Sequence, residues 1–234
     1  MSDNLEFSEE AGLKALKKAL ILRVALVIPI YAMILCLPAG TLAYPEAWAY
    51  ILTLFIPMIL FGAYMFRRDP AFLARRMRLK EKRKEQKLII KLSIFPLLAS
   101  FILPGFDKRL GWSHVPVYME ASALLFVLAG YLLIIYVFLR NSYASRIVDV
   151  EQGQKVISSG PYALIRHPMC FGVIILYSFS PLALGSYWAV IPALLFIPVL
   201  VLRIRDEEKA LMDKLQGYRE YTKRTRYRLI PGIW

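Results

Sequence analysis

Histidine and cysteine are both scarce, with two of each among the 234 residues. Cys36 and Cys170 lie in or beside apolar runs and form no C-x-x-C pair, which excludes a disulfide framework and a zinc site. With His114 and His167 as the only histidines, a multi-histidine metal site is also excluded, and we predict no metal. The motifs G-x-G-x-x-G, G-x-x-x-x-G-K-[ST], H-E-x-x-H and G-x-S-x-G are absent, so the sequence carries no signature of the enzyme classes that these motifs mark.

Acidic residues are few as well, at 17 against 30 Lys and Arg, which gives a net charge of +13. Hydrophobic residues make up 58% of the chain, and the mean hydropathy is +0.51. In a soluble protein such a positive excess would suggest nucleic acid as a partner. Here the basic residues cluster beside apolar runs, which favours the cytoplasmic face of a membrane and anionic lipid. We therefore expect membrane lipids and no nucleic acid among the partners.

Six apolar runs divide the chain. They cover roughly residues 20–38, 46–66, 88–104, 117–139, 169–181 and 187–203. Because a helix of about 20 apolar residues crosses a bilayer, we predict an all-α, polytopic integral membrane bundle with about six membrane segments. The last two runs indicate a helical hairpin that is broken at Ser180-Pro181 and at Gly185-Ser186.

The loops between these runs differ sharply in charge. Loop 67–87 holds ten Lys or Arg against three acidic residues, whereas segments 39–45 and 181–187 contain no Lys or Arg. This asymmetry predicts a multi-pass protein with loop 67–87 and both the N- and C-termini in the cytoplasm. Lys108 and Arg109 are the exception, because they fall in a predicted outer loop.

The stretch GPYALIRHPMCFG, which begins at Gly160, places ionisable residues at the start of an apolar run. Gly160-Pro161 marks a turn, and His167 should be extended because Pro168 follows it. Pro168 suits the first turn of the next helix, whose free N–H groups can hold a carboxylate beside Arg166 and His167. The alternative is structural: Arg166 reaches lipid headgroups and His167 caps the helix.

A second charged stretch, VLRIRDEEKALMDKLQGYREY, follows the last apolar run. Arg203 and Glu207 are four residues apart, so a continuing helix places them on one face. Glu208 is turned from that face by about 100° and can serve another partner. The alternative is an interfacial helix with an ordinary ion pair between Arg203 and Glu207.

Two further polar segments flank the predicted hairpin. Segment 141–162 contains apolar residues that suggest short extended pieces around a turn at Gln152-Gly153. The tail KRTRYRLIPGIW is basic and aromatic, and we expect it to lie as a strip on the membrane surface.

Taken in order, GPYALIRHPM, an apolar hairpin, RIRDEEKAL and GYREYTKRTRYRLIP form a signature. This signature closely resembles the isoprenylcysteine carboxyl methyltransferase family, which also includes membrane phospholipid methyltransferases. The resemblance covers roughly residues 140–234. It divides the chain into N-terminal membrane helices, 1–139, which carry the basic cytosolic loop, and a methyltransferase-like region, 140–234.

The resemblance implies that S-adenosylmethionine binds at the cytosolic end of the bundle, in a pocket formed by the cytosolic loop and the C-terminal segment. The implied cofactor-binding residues are Gln154, Lys155, Val156, Ile157, Tyr162, His167, Pro168, Met169, Cys170 and Glu207. Arg203 matches the family's arginine near the methyl acceptor, and we predict Arg203 and Arg166 as catalytic, with Arg203 also binding substrate. The sequence departs from the family at Cys170, where tyrosine is usual, and at Gln154, where histidine is common.

The function that the resemblance favours is carboxyl O-methylation of an isoprenylcysteine-like or related lipophilic acceptor. Such a carboxylate is ionised at neutral pH and needs no base, and Arg203 can orient it through two parallel hydrogen bonds. Methylation of a phospholipid or other amine, and methylation of a thiol, remain open. So do a nicotinamide-dependent membrane reductase and a non-catalytic protein that binds lipid through loop 67–87.

Overall fold

The computed structural model describes residues 2–76, 84–141, 143 and 154–234, and these residues form helices and connecting segments without any β-strand. The helices are α1 (Ser2–Ala39), α2 (Pro45–Arg68), α3 (Pro70–Arg76), α4 (Lys84–Leu110), α5 (Val117–Arg140), α6 (Pro168–Ala183), α7 (Val190–Lys214) and α8 (Tyr218–Arg224), with a 3₁₀ turn at Gly160–Ala163. The all-α prediction is therefore confirmed. The predicted extended pieces around Gln152-Gly153, and residues 77–83 of the basic loop, lie outside the described residues.

Four of these helices are long and apolar enough to cross a membrane. The candidate spans are Gly12–Ala39, Pro45–Arg68, Glu85–Leu110 and Val117–Arg140. α6 is also apolar but has only 16 residues, or about 24 Å of helix. α7 becomes strongly charged from Arg203 onward, so only its first half is apolar.

Some predicted boundaries are wrong. The helix does not break at Ser180-Pro181, because α6 continues to Ala183 and turns only at Gly185, whose φ is +77°. Pro181 removes one backbone hydrogen bond in the last turn, and the Ser180 hydroxyl adds a side-chain hydrogen bond by donating to the carbonyl of Leu176 at 2.7 Å.

The segments at both ends of α4 also differ from the prediction. Before α4, the predicted basic loop contains a short helix, α3, where Asp69 Oδ1 accepts the N–H of Phe72 at 2.9 Å. Lys108 and Arg109 lie in the last turn of α4 rather than in a loop. Lys108 Nζ pairs with Glu46 Oε1 of α2 at 2.7 Å. This pair offsets a positive charge that was an exception to the predicted distribution of Lys and Arg between the loops.

The closest helix approach in the second half of the bundle joins α5 to α6. Gly130 and Gly172 face each other there, and a Cβ atom added at Gly172 would lie 2.8 Å from the Gly130 carbonyl oxygen. α7 packs against both α4 and α6, and α1 packs against α4 and α2. The start of α6 and the charged half of α7 therefore lie at the same end of the bundle.

Candidate active site

The site begins at the turn that leads into α6. Gly160 has a φ of +60°, and the 3₁₀ turn follows it, which confirms the predicted turn. α6 starts at Pro168, as predicted, and His167 is the residue before the helix, with φ −123° and ψ 60°. The prediction that His167 is extended is therefore wrong, because its ψ lies well below the extended range.

The C-terminal segment docks on this turn through backbone hydrogen bonds. The N–H groups of Arg166 and His167 donate to the carbonyls of Tyr227 and Arg228, both at 2.9 Å. Leu229 is 3% exposed and packs with Cys170 and with α7. The tail is therefore held by the protein itself, and the expectation that it also lies on the membrane surface stays a prediction.

Glu208 is the centre of the polar contacts. Its side chain is 4% exposed, and Oε1 lies 3.0 Å from Arg166 Nη1 and 3.4 Å from His167 Nε2. The other oxygen, Oε2, accepts from Arg228 Nε at 2.5 Å. One carboxylate of α7 therefore joins the turn before α6 to the C-terminal segment.

The protonation of Glu208 follows from these contacts. Burial by itself raises the pKa of this carboxyl, whereas the hydrogen bonds from His167 and Arg228 and the charge of Arg166 lower it. The favourable contacts outweigh burial, and the net pKa lies below its usual range. Glu208 is therefore a carboxylate at neutral pH.

Four of the predicted site residues come together beside this cluster. The charges of Glu207 and Arg203 both act on the buried thiol of Cys170, and the charge of Glu207 also acts on the hydroxyl of Tyr162. The Tyr162 hydroxyl accepts a hydrogen bond from Asn141 Nδ2 at 2.9 Å. The structure thus gathers side chains from the turn, from α6 and from α7 into one neighbourhood.

The remaining predicted residues border this neighbourhood. Residues 154–158 have no regular secondary structure; Lys155 is exposed, while Gln154, Val156 and Ile157 are half-buried. Val156 packs with Tyr162 against the apolar cluster of α8. Pro168 is buried, and Met169 is half-buried and packs toward the core of the bundle.

Sequence reasoning missed three residues that shape this site. Arg228 holds Glu208 from a distance of 20 residues along the chain, and Tyr218 lies in the apolar cluster beside Val156. Gln86, at the start of α4, has no exposed surface and donates through Nε2 to Asp206 Oδ2 of α7 at 2.5 Å. Tyr218 and Arg228 lie within the motif GYREYTKRTRYRLIP, which was the available signal, whereas Gln86 had none.

Fold and site together define a multi-helix membrane protein. Its polar site lies at the point in α7 where the apolar half ends and the charged half begins. The family model of isoprenylcysteine carboxyl methyltransferase (ICMT) matches residues 122–213, from α5 to the last turn of α7, so this part of the chain is similar to that family of methyltransferases. No curated protein matches the chain. The matched range contains Tyr162, Cys170, Arg203 and Glu207 and ends before Arg228.

Proposed function

We propose that the protein is an S-adenosylmethionine-dependent methyltransferase that acts on a lipophilic acceptor at the cytosolic end of its helical bundle. The observation that carries this proposal is the convergence of Tyr162, Cys170, Arg203 and Glu207, which come from three separate parts of the chain. Arg203 and Glu207 follow directly on the apolar half of α7. That arrangement suits a polar cofactor that must meet a lipid-soluble substrate.

The chemistry of the side chains fits S-adenosylmethionine. The half-buried carboxylate of Glu207 suits an ammonium or a ribose hydroxyl, and Val156, Ile157 and Tyr162 offer apolar and aromatic surface for adenine. We propose that the cofactor is bound by residues 154–157, Tyr162, the start of α6 and Glu207. When bound, the cofactor supplies a methyl group that is already activated on a sulfonium, so the protein needs to supply mainly position and a dry site.

Arg203 is our candidate for the residue that orients the acceptor. It lies at the end of the apolar half of α7, where the polar head of a lipophilic acid would be held at the membrane surface. A guanidinium can hold a carboxylate through two parallel hydrogen bonds, which fixes one oxygen toward the methyl group. This supports carboxyl O-methylation over the amine and thiol alternatives.

Arg166 has a different role in the proposal. Its terminal nitrogens are engaged, Nη1 by Glu208 at 3.0 Å and Nη2 by the carbonyl of Arg226 at 3.2 Å. We propose that Arg166 holds the C-terminal segment over the site, which excludes water, and that it meets the bound ligand only through its Nε–H.

We further propose that α6 and the apolar half of α7 complete six membrane segments. Both termini would then lie in the cytoplasm with the basic loop, and the site would face the cytoplasm. The charge asymmetry of the loops supports this orientation.

Binding and turnover of the purified protein in detergent test the proposed function. We expect S-adenosylhomocysteine to bind with micromolar affinity, about −8 kcal/mol, and NADPH not to bind. We also expect methyl transfer from labelled S-adenosylmethionine to a farnesylated N-acetylcysteine, and none to phosphatidylethanolamine. If the protein binds NADPH but not S-adenosylhomocysteine, the proposal is contradicted and a reductase is favoured. If it binds neither compound, both the methyltransferase and the reductase are contradicted.

A further inference from the structure

Four buried side-chain atoms have no hydrogen-bond partner among the described residues, and two of them, which belong to side chains in or beside the Glu208 cluster, carry a hydrogen to donate. These two are the hydroxyl oxygen of Tyr218 and Nε of Arg166. Tyr218 is 4% exposed and Arg166 is 9% exposed, so water around the protein does not readily satisfy either atom. A buried donor that has given up water without gaining a partner costs free energy, and a bound ligand can recover that cost.

Tyr218 lies among residues that we have assigned to the cofactor. It opens α8 directly after Gly217, whose φ is +82°, and its ring centroid is 5.6 Å from that of Tyr221. Val156 and Tyr162 pack against the same apolar cluster. The ring of Tyr218 is thus held in place by packing, while its hydroxyl is left for a ligand.

The charges around Tyr218 favour a hydroxyl that donates. Burial, followed by the carboxylates of Glu208 and Glu207, raises the pKa of Tyr218, so that the phenol keeps its proton at neutral pH. The positive charge of Arg166 also reaches this hydroxyl. Tyr218 and Arg166 thus each offer an unused donor within electrostatic range of the other, so a group that binds to both should be an acceptor.

The charges of the neighbouring cluster nearly balance, because the guanidinium groups of Arg166 and Arg228 are matched in number by the carboxylates of Glu208 and Glu207. The preference for an acceptor therefore comes from the two donors without a partner and not from a net positive charge. Glu207 suits a cation. An acidic group beside an ammonium, as in an amino acid, would complement both the two donors and this carboxylate.

We propose that the Tyr218 hydroxyl and the Arg166 Nε–H together form a binding subsite for a carboxylate. This inference rests on the proposed function, which offers two sources of that group. One is the amino-acid end of S-adenosylmethionine, and the other is a carboxylate acceptor. The position of Tyr218 beside Val156 and Tyr162 favours the cofactor, and the experiment below distinguishes the two.

The test compares two tyrosines of the same helix. Tyr218→Phe removes a hydroxyl without a partner, whereas Tyr221→Phe removes one that donates to the carbonyl of Tyr162 at 2.7 Å. Without ligand, we expect Tyr218→Phe to keep or raise the melting temperature of the full-length protein in detergent, and Tyr221→Phe to lower it. The hydroxyl of Tyr221 thus serves as the matched control for a structural role.

Ligand affinities then identify the carboxylate. For Tyr218→Phe we expect S-adenosylhomocysteine to bind about tenfold or more weakly by calorimetry. 5′-Methylthioadenosine, which has the adenosine and thioether but no amino acid, should bind as it does to wild type. If the acceptor supplies the carboxylate instead, the affinity for S-adenosylhomocysteine stays unchanged and the KM for farnesylated N-acetylcysteine rises about tenfold or more.

Three results would overturn the subsite. Unchanged affinity for S-adenosylhomocysteine together with an unchanged KM would leave the hydroxyl without a ligand. An equal loss of affinity for S-adenosylhomocysteine and 5′-methylthioadenosine would indicate distortion of the pocket, and a melting temperature lowered as in Tyr221→Phe would indicate a structural hydroxyl. If wild type binds neither compound, the proposed function fails and the subsite with it, whereas binding by wild type with no effect of Tyr218→Phe removes only the subsite.

Discussion

Two adjacent glutamates of α7 have different surroundings. Glu208 is 3% exposed and contacts Arg166, His167 and Arg228. Glu207 is half-buried and lies within electrostatic range of Tyr162 and Cys170. Successive side chains of a helix point about 100° apart, which allows one to hold the fold while its neighbour is left for a ligand.

Loss of the Glu208 carboxylate should destabilise the protein strongly. Glu208→Ala leaves Arg166 buried without its ion-pair partner, and breaking a buried ion pair in this way costs about 3–5 kcal/mol. Glu207→Ala is the matched control, for which we expect a loss of less than about 1 kcal/mol. Denaturant unfolding of both variants in detergent measures the difference. Equal losses of unfolding free energy would contradict the different roles.

The contribution of Glu208 should also depend on pH. Because its pKa is lowered in the folded protein, its stabilisation is fully present above the unfolded pKa of about 4.3 and is lost as the pH falls through the folded pKa. We expect the gap in melting temperature between wild type and Glu208→Gln to be present at about pH 5 and to shrink as the pH falls below about 4, where the carboxylate takes up a proton. A gap that stays unchanged down to about pH 2 would contradict the ionised, hydrogen-bonded carboxylate.

At the scale of single residues, local spacing predicted part of the site. The offset of Glu208 from Glu207 predicted a separate partner for Glu208, and the structure supplies three. Arg228 could not be predicted as one of them, because helical periodicity does not extend across the turn between α7 and α8. Gln86 is a similar case, since its partner Asp206 is 120 residues away in the chain.

At the scale of elements, the contact between α5 and α6 positions the start of α6. Gly130 and Gly172 allow the two backbones to approach closely, as small residues do in membrane helices. His167 immediately precedes α6 and Cys170 lies in its first turn, both shortly before Gly172. A change in the spacing of α5 and α6 should therefore reach the proposed site.

Alanine at Gly172 tests this dependence. Its Cβ atom would lie 2.8 Å from the carbonyl oxygen of Gly130 and 2.9 Å from Cγ1 of Ile134, so the helices must separate. We expect Gly172→Ala to lower stability by about 1–3 kcal/mol and to weaken binding of S-adenosylhomocysteine. Gly62→Ala in α2 is the control, because no atom lies within 4 Å of its added Cβ, and it should be neutral or slightly stabilising. Similar behaviour of the two variants would contradict a tight α5–α6 contact.

The apolar runs predicted where the helices lie better than where they end. Each of the six runs corresponds to a helix, but α4 extends well beyond the predicted run 88–104 at both ends. A helix can continue through charged residues such as Lys108 when a partner, here Glu46, offsets their charge. A hydropathy profile does not reveal such a pair. Pro181 likewise remains inside α6, because one lost backbone bond near a helix end is tolerated.

At the scale of the whole molecule, the N-terminal helices support the region that matches the family. Gln86 of α4 is fully buried and donates to Asp206, which adjoins Glu207 on α7. The family match begins at residue 122, so this support comes from outside the matched range. Residues outside 140–234, at least in α4, therefore contact the part of α7 that carries the proposed site.

Membrane orientation is the testable property of the bundle as a whole. Leu42 is 71% exposed in the connection between α1 and α2, and Lys223 is exposed on α8. Cys36 and Cys170 are buried and should not react. With an impermeant maleimide on intact cells, we expect Leu42→Cys to be labelled and Lys223→Cys to be protected until the membrane is opened. Labelling of both from the outside would contradict the six-segment topology.

The most direct test of the proposed methyltransferase site is the affinity of S-adenosylhomocysteine for wild type, Glu207→Ala and Arg203→Ala, measured by calorimetry on folded protein. We expect Glu207→Ala to lose about 1.5–3 kcal/mol of binding free energy, because it removes a contact between a charged group and the cofactor. Arg203→Ala should bind nearly as wild type does and should fail to methylate a carboxylate acceptor. Equal affinities of wild type and Glu207→Ala would contradict the account.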